Sequence, residues 1–136
     1  MTEPRQPISR QPISRQPISR RALVVEADPA ALRLCRNVLE SSGFVVDTVD
    51  SGIAAVVAAR QGRPDLILMD LQLRDVPGGE AIAWLRSNPA LRSTPIIVIT
   101  ANGVDDDELA AALPGAALRK PLSSAAIRRT LQDVLK

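Results

Sequence analysis

The stretch Pro64-Asp-Leu-Ile-Leu-Met-Asp70 decides how this chain of 136 residues folds. Its four apolar residues, Leu66 to Met69, follow one another without alternating with polar side chains, and the run ends in the carboxylate of Asp70. Continuous apolar runs of this kind are typical of strands whose two faces are both covered by helices, as in a parallel sheet. The stretch therefore predicts a central buried strand that ends in an acid.

Similar short apolar runs occur on both sides of this strand, and each is followed by a helical pattern. Asp28 and Ser123 stand where N-cap residues precede helices, and Pro29 suits a first helical turn. Five strands that alternate with five helices predict an α/β fold with a doubly wound (βα)5 parallel sheet. The strands are expected at 22–25, 45–49, 66–69, 95–99 and 116–119, and the helices from Pro29, from Gly52 to Arg60, through 81–85, from about Asp105 and after Ser123.

Composition excludes several classes of function. No apolar run approaches the roughly 20 residues of a membrane span, and no apolar signal segment opens the chain, so we expect a cytoplasmic protein. The chain has no histidine and one cysteine, Cys35, which excludes an internal disulfide, cysteine-based zinc sites and histidine-dependent catalysis. Phe44 and Trp84 are the only aromatic residues, so we do not expect direct binding of DNA or RNA by base stacking. We expect Trp84 to pack in the core or on a helix face, with a partner surface as the alternative.

The first 20 residues differ in character from the rest of the chain. Gln-Pro-Ile-Ser-Arg occurs three times over residues 6–20, and this frequency of proline prevents a stable helix. Four arginines and one glutamate give residues 1–20 a charge of +3, whereas the other 116 residues carry −1. We predict a disordered arm over residues 1–20 and a globular domain over residues 21–136. The arm is either a solvated tail or a segment that binds an anionic partner.

Polar residues close four of the predicted strands: Glu26, Asp70, Thr100 and Lys120. In a doubly wound sheet these strand ends meet at one edge, where the site of such a fold lies. The turn after the first strand contains no glycine, which excludes the glycine-rich turn of a dinucleotide-binding fold. Converging carboxylates suit a hard divalent cation such as Mg²⁺, and a lysine and a threonine suit an anion that the cation also holds. These residues predict a site for a phosphoryl group on an acid.

In this order, the motifs resemble the receiver domain of bacterial response regulators, with an architecture similar to the chemotaxis response regulator. The resemblance implies the flavodoxin-like strand order 2-1-3-4-5 and a role in two-component signal transduction or a phosphorelay. It also implies phosphorylation by a sensor histidine kinase or phosphotransferase, regulation of a downstream protein target, and an often cis peptide between Lys120 and Pro121. The resemblance covers residues 21–136 and rests on 23–26, 64–70, Gly78, 95–101, 115–116 and 120–121.

The same resemblance implies a role for each residue of the site. Asp70 would be the phospho-acceptor, Thr100 would hydrogen-bond to the phosphoryl group, and Lys120 would pair with it. A Mg²⁺ ion would be held by Glu26, by Asp70 and by the backbone carbonyl of Gln72.

The sequence departs from the family pattern at three positions. Ala27 stands where receivers usually carry a second acid that is generally a direct metal ligand, and Arg74 stands where proline is usual. Loss of a residue that merely supports a metal ligand costs about 10–100-fold in affinity, and loss of a direct ligand should cost at least as much. Asp28 is a possible substitute ligand, although N-capping competes for its side chain. Ala117 replaces the aromatic ring that swings inward on activation in many receivers, so phosphorylation must be read out in another way.

Three functions therefore compete. The first is a single-domain response regulator that is phosphorylated on Asp70 and regulates a partner protein. The second is a phosphorylation-independent pseudo-receiver that acts as a protein-interaction scaffold, and the third is binding of an anionic ligand by the arginines of the arm. We do not expect an independent enzyme, because no other nucleophile–base pair is visible in the sequence.

Overall fold

The structure, a computed structural model, describes residues 20–101 and 103–135. The strands form one parallel sheet in the order β2-β1-β3-β4-β5, which confirms the predicted doubly wound, flavodoxin-like fold. The strands are β1 (Arg20–Val25), β2 (Phe44–Val49), β3 (Leu66–Asp70), β4 (Ile96–Thr100) and β5 (Gly115–Arg119).

Four of the five α-helices in the described residues begin at a side chain that caps them, and the helix that follows Pro77 does not. The Asp28 side chain accepts a hydrogen bond from the Ala30 amide, and Ser123 accepts one from the Ala126 amide, so both predicted N-caps are confirmed. The helices are α1 (Pro29–Ser41), α2 (Gly52–Gly62), α3 (Gly78–Arg86), α4 (Asp106–Ala112) and α5 (Ser124–Val134), with a short 3₁₀ turn at Pro89–Leu91.

Two apolar cores lie on the two faces of the sheet. Leu66 and Leu68 point into the core beneath α1 and α5, whereas Ile67 and Met69 point into the core beneath α2, α3 and α4. All five residues of β3 are buried, which explains the continuous apolar run that predicted this strand. The layers leave the carboxyl ends of β1, β3, β4 and β5 at one edge, and this edge positions the candidate site.

The amino-terminal boundary differs slightly from the prediction. Arg20 pairs with Phe44 and belongs to β1, so the last residue of the repeats is part of the sheet. The rest of the predicted arm, residues 1–19, lies outside the described residues. Within the described part of the chain, no helix is both long and apolar enough to cross a membrane. The Lys120–Pro121 peptide is cis, as the resemblance implied, and so is Leu113–Pro114.

Candidate functional site

Asp70 lies at the centre of the carboxyl edge, and its side chain is only 6% exposed. Its Oδ1 atom accepts a hydrogen bond from the Gln72 amide at 2.9 Å, which fixes the carboxylate against the loop that follows β3. Its Oδ2 atom lies 3.3 Å from Nζ of Lys120. The two oxygens therefore differ in environment, since one is held by the backbone and the other faces a cation.

Glu26 follows β1 directly and is 1% exposed. Its Oε2 atom accepts hydrogen bonds from the Asp28 amide at 3.1 Å and from Nζ of Lys120 at 3.3 Å. Its Oε1 atom lies 3.2 Å from Nζ of Lys120 as an ion pair, but it accepts no hydrogen bond from the described residues. A buried carboxylate oxygen without a hydrogen bond is costly, and it has lone pairs available for a cation.

The electrostatics of the site are set by two carboxylates that share one ammonium group. Burial, and then the nearby carboxylate of Asp70, raise the pKa of Glu26 above its usual value. Burial lowers the pKa of Lys120, but its pairing with Glu26 and Asp70 outweighs this effect and raises the pKa overall. Lys120 is therefore protonated at neutral pH. With both acids ionised, the three side chains carry a net charge of −1, and the site lacks one positive charge.

Thr100 ends β4 next to Asp70. Asp70 pairs with Ile99 in the register of β3 and β4, so Thr100 stands one residue further along the neighbouring strand. Thr100 is 5% exposed, and its hydroxyl donates a hydrogen bond to the carbonyl of Gly103 at 2.8 Å. This bond ties the strand end to the loop that leads into α4.

The loop between β3 and α3 is held by contacts that the sequence analysis did not identify. The two carboxylate oxygens of Asp75 accept hydrogen bonds from the amides of Gly52 and Ile53, each at 2.9 Å, and these bonds lower the pKa of Asp75. The amide of Gly78 donates to the Leu71 carbonyl at 3.2 Å, and a Cβ on Gly78 would lie 2.5 Å from Cα of Leu71. Gly78 is part of the family resemblance in the sequence, but no sequence pattern links Asp75 to α2.

The donor atoms fit a magnesium ion with few protein ligands. Glu26 and Asp70 supply carboxylate oxygens, including the unbonded Oε1, and Mg²⁺ prefers oxygen ligands and keeps several waters. Over residues 20–101 and 103–135, no group of three or more His, Cys, Asp or Glu side chains could hold a metal. Ala27 adds no oxygen, and the Asp28 side chain caps α1. The amide of Gln72 donates a hydrogen bond to Asp70, so the residue whose carbonyl was expected to bind the ion lies beside the acid.

Comparison with known proteins places this arrangement in a family. The model of the response regulator receiver domain matches residues 22–132, and the chain therefore belongs to that family. The polar-differentiation response regulators DivK of Brucella anthropi and Brucella ovis are each 36% identical to it over 115 residues, which is 83% of this chain and 94% of theirs. These matches assign the chain to two-component signalling.

Solved structures agree with this assignment. The receiver domain of the sensor histidine kinase PA1611 from Pseudomonas aeruginosa, which holds a magnesium ion in its active site cleft, is 33% identical with a TM-score of 0.77 and covers 88% of this chain and 100% of its own. The chemotaxis response regulator CheY4 of Vibrio cholerae has a TM-score of 0.80 at 24% identity, over 86% of this chain and 99% of its own, and shares the fold.

Proposed function

We propose that this chain is a response regulator receiver that accepts a phosphoryl group on Asp70 from a sensor histidine kinase or phosphotransferase, and then regulates a downstream protein in the cytoplasm. The observation that carries the proposal is the pairing of the Asp70 Oδ2 atom with Nζ of Lys120 at 3.3 Å, at the edge where β3 ends. A carboxylate held by one oxygen and paired to a cation by the other suits a nucleophile that must carry added negative charge.

The chemistry follows from this arrangement. A carboxylate oxygen of Asp70 forms a bond to phosphorus as the phosphorus–nitrogen bond to the donor's imidazole breaks, and the imidazole nitrogen takes up a proton. The acyl phosphate adds negative charge and acceptor oxygens at Asp70. Lys120 already lies within 3.3 Å of this carboxylate, so its ammonium group can follow the charge onto the phosphoryl oxygens.

Glu26, Asp70 and the Gln72 carbonyl are the groups that would hold Mg²⁺ in this site. The ion would supply positive charge that stabilises the transferring phosphoryl group. The net charge of −1 on Glu26, Asp70 and Lys120 makes a cation favourable there, and Oε1 of Glu26 has no hydrogen bond that such an ion would have to displace.

Thr100 provides a route by which phosphorylation would alter the surface. Its hydroxyl donates to the Gly103 carbonyl, and donating to a phosphoryl oxygen instead would break that bond and release the loop before α4. The guanidinium group of Arg119 lies beside this loop, with Nη2 3.4 Å from where a Cβ on Gly103 would stand. Ala117 is exposed and has no ring to move, so the loop and Arg119 would carry the readout.

The phosphodonor would dock beside Lys120. A groove of about 480 Å³ runs along the start of α1 and the loop after β5, and it opens next to the site. Ala31 and Leu34 supply an apolar wall, while Asp28 and Lys120 lie at its polar end. A helix of a kinase or phosphotransferase that fills this groove would bring its phosphohistidine to Asp70.

Phosphorylation is tested with a small phosphodonor. The full chain is incubated with acetyl phosphate and Mg²⁺, and its intact mass is compared with that of Asp70→Asn. We expect one phosphoryl adduct on the wild type, none on Asp70→Asn, and unchanged labelling of the exposed control Asp133→Asn. An adduct that persists in Asp70→Asn would disprove Asp70 as the acceptor.

A pseudo-receiver that works as an interaction scaffold is the second candidate. It is favoured by Lys120, which pairs with both acids, and by Ala27, which leaves the site without another carboxylate. Amide NMR with beryllium fluoride and millimolar Mg²⁺ separates the two functions, because only the first predicts shifts around Asp70 and Thr100. Binding of an anionic partner by the arm stays a prediction, which deletion of residues 1–19 tests in a binding assay.

A further inference from the structure

Helix α2 presents an apolar face that nothing in the described part of the chain covers. Its inner residues Ala55 and Ala59 are fully buried, but Ile53 and Val57 on the outer face are 57% and 48% exposed. No charged side chain occurs in α2 before Arg60. A helix that is apolar on all sides is expected to be covered on all sides, so this face is a candidate contact surface.

Next to this face, the C-terminal halves of α2 and α3 and the turn that follows α3 enclose a groove of about 470 Å³. Trp84 lines it and is 41% exposed, whereas its neighbour Leu85 is buried. A half-exposed tryptophan beside an open apolar surface is typical of an anchor in protein interfaces. We call the groove and the exposed α2 face together the α2–α3 surface; its members are Ile53, Val56, Val57, Arg60, Arg63 and Trp84.

The charged side chains that line the groove are all positive, whereas the carboxylate of Asp75 lies at the other end of the α2–α3 surface, on the amide of Ile53. The residues that line the groove include Arg60 and Arg63 and no carboxylate. Neither guanidinium group has a hydrogen bond or ion pair within residues 20–101 and 103–135. Arg63 follows the last residue of α2 and has a left-handed backbone conformation, with φ 45°. Its amide donates a hydrogen bond to the Ala59 carbonyl, so the backbone of Arg63 is held against the end of the helix. Unpaired arginines in a groove that borders the exposed apolar side chains of Val57 and Trp84 favour a partner that carries carboxylates.

We propose that the α2–α3 surface binds an acidic amphipathic segment of a partner protein. Apolar side chains of that segment cover Trp84 and Val57, and its carboxylates pair with Arg60 and Arg63. The C-terminal ends of helices in a parallel α/β sheet lie at the edge opposite to the carboxyl ends of the strands. The groove is therefore remote from Asp70, and binding there does not depend on the proposed phosphorylation.

The chain's own arm is a poor occupant of this surface. Residues 1–19 contain three arginines and one glutamate, so the arm would place positive charge against positive charge. A second copy would have to offer its acidic α4 start, 105–108, and such a head-to-tail contact produces rings or open filaments rather than a two-fold dimer. Another protein with an acidic helix satisfies both the charge and the apolar requirement.

A designed peptide tests the proposal with the full chain. The probe is a fluorescein-labelled, acetylated 14-residue helix of leucine and glutamate in heptad spacing, and its matched control has lysine for every glutamate. We expect the acidic peptide to raise the anisotropy and to shift the emission of Trp84, and the lysine peptide to do neither. Arg60→Glu combined with Arg63→Glu should weaken binding by about tenfold or more, whereas Arg33→Glu with Arg129→Glu, on the opposite face, should leave it unchanged.

Other results would overturn the proposal. The double variant Arg60→Glu, Arg63→Glu is compared with the wild type once its amide spectrum shows that it is folded. Equal binding of the acidic peptide by both proteins would mean that Arg60 and Arg63 do not pair with its carboxylates. Loss of binding when Arg5, Arg10 and Arg15 are replaced by serine would show that the arm, and not the α2–α3 surface, binds the peptide. Binding to phosphatidylglycerol vesicles without binding to the acidic peptide would assign the surface to membranes, and concentration-dependent association in sedimentation would assign it to a second copy. Asp70→Asn should bind the peptide as the wild type does, so failure of the phosphorylation proposal leaves this test intact.

Discussion

The substitution Ala27→Asp is expected to strengthen Mg²⁺ binding. Ala27 follows Glu26 directly and is exposed, so an added carboxylate displaces no packed side chain. It changes the net charge of the site from −1 to −2 and supplies an oxygen at the position where the family generally has a direct ligand. Residues that merely support a metal ligand account for about 10–100-fold in affinity, so restoring a ligand should tighten binding by at least about tenfold, or about 1.4 kcal/mol.

The assay is a Mg²⁺ titration followed by amide NMR, in which the Leu71 and Gln72 signals report on the loop that carries Asp70. Ala30→Asp is the matched control, since Ala30 is also exposed and lies two residues beyond Asp28, where it adds the same charge outside the carboxylate pair. The dissociation constant should fall for Ala27→Asp and change little for Ala30→Asp.

Two results would refute this reasoning. Equal tightening in both variants would mean that general negative charge, rather than a ligand at this position, limits metal binding. Unchanged affinity in Ala27→Asp would mean that Lys120 holds both acids, and that its ammonium group at 3.2–3.3 Å is the obstacle to the ion.

Three further predictions concern the loop, the core and the buried acid. Gly78→Ala should displace the loop after Asp70 and weaken the NMR response to Mg²⁺, whereas Gly79→Ala, whose nearest neighbour would be 3.6 Å away, should not; equal effects would contradict the steric explanation. Leu68→Ala should lower the free energy of unfolding in urea by about 2–5 kcal/mol, against less than about 0.5 kcal/mol for Leu113→Ala, which is 54% exposed in the wild type. Because the pKa of Glu26 is raised in the folded state, the folded protein binds its proton more tightly, and stability falls as the pH rises from about 4.5 through the folded pKa. Glu26→Gln should lack this fall in unfolding experiments between pH 4 and 8, and a profile parallel to the wild type would be inconsistent with a raised pKa.

Much of the fold could be predicted because its causes are local. The run 66–69 is apolar at every position since both faces of β3 are covered, and a run of this kind is visible without any knowledge of its neighbours. Asp28 and Ser123 could be recognised as N-caps because the bonds they make reach only two or three residues along the chain. The order of the strands, by contrast, came from a family resemblance, since it depends on how distant segments pair.

Some contacts that shape the molecule have no counterpart in the sequence pattern. The guanidinium group of Arg86 is partly buried, which lowers its pKa, and it makes its hydrogen bonds to backbone oxygens that a local pattern does not reveal. These acceptors are the carbonyls of Leu91, Arg92, Thr94, Ala111 and Ala112. Trp84 was expected in the core or on a helix face, with a partner surface as the alternative. It lies on α3 with 41% of its surface exposed, because only the packing of α2 against α3 determines which side of α3 stays open.

By itself, the sequence determined the kind of sheet, the helix starts and the four residue types at the strand ends. Only the tertiary structure decided that Lys120 pairs with Glu26, 94 residues away, and with Asp70, 50 residues away, and that Asp75 binds the start of α2. The physical reason is the distance along the chain over which each effect acts. Apolar periodicity and capping act over a few residues, whereas a buried charge takes whichever partner the packing of the whole sheet brings within about 3 Å.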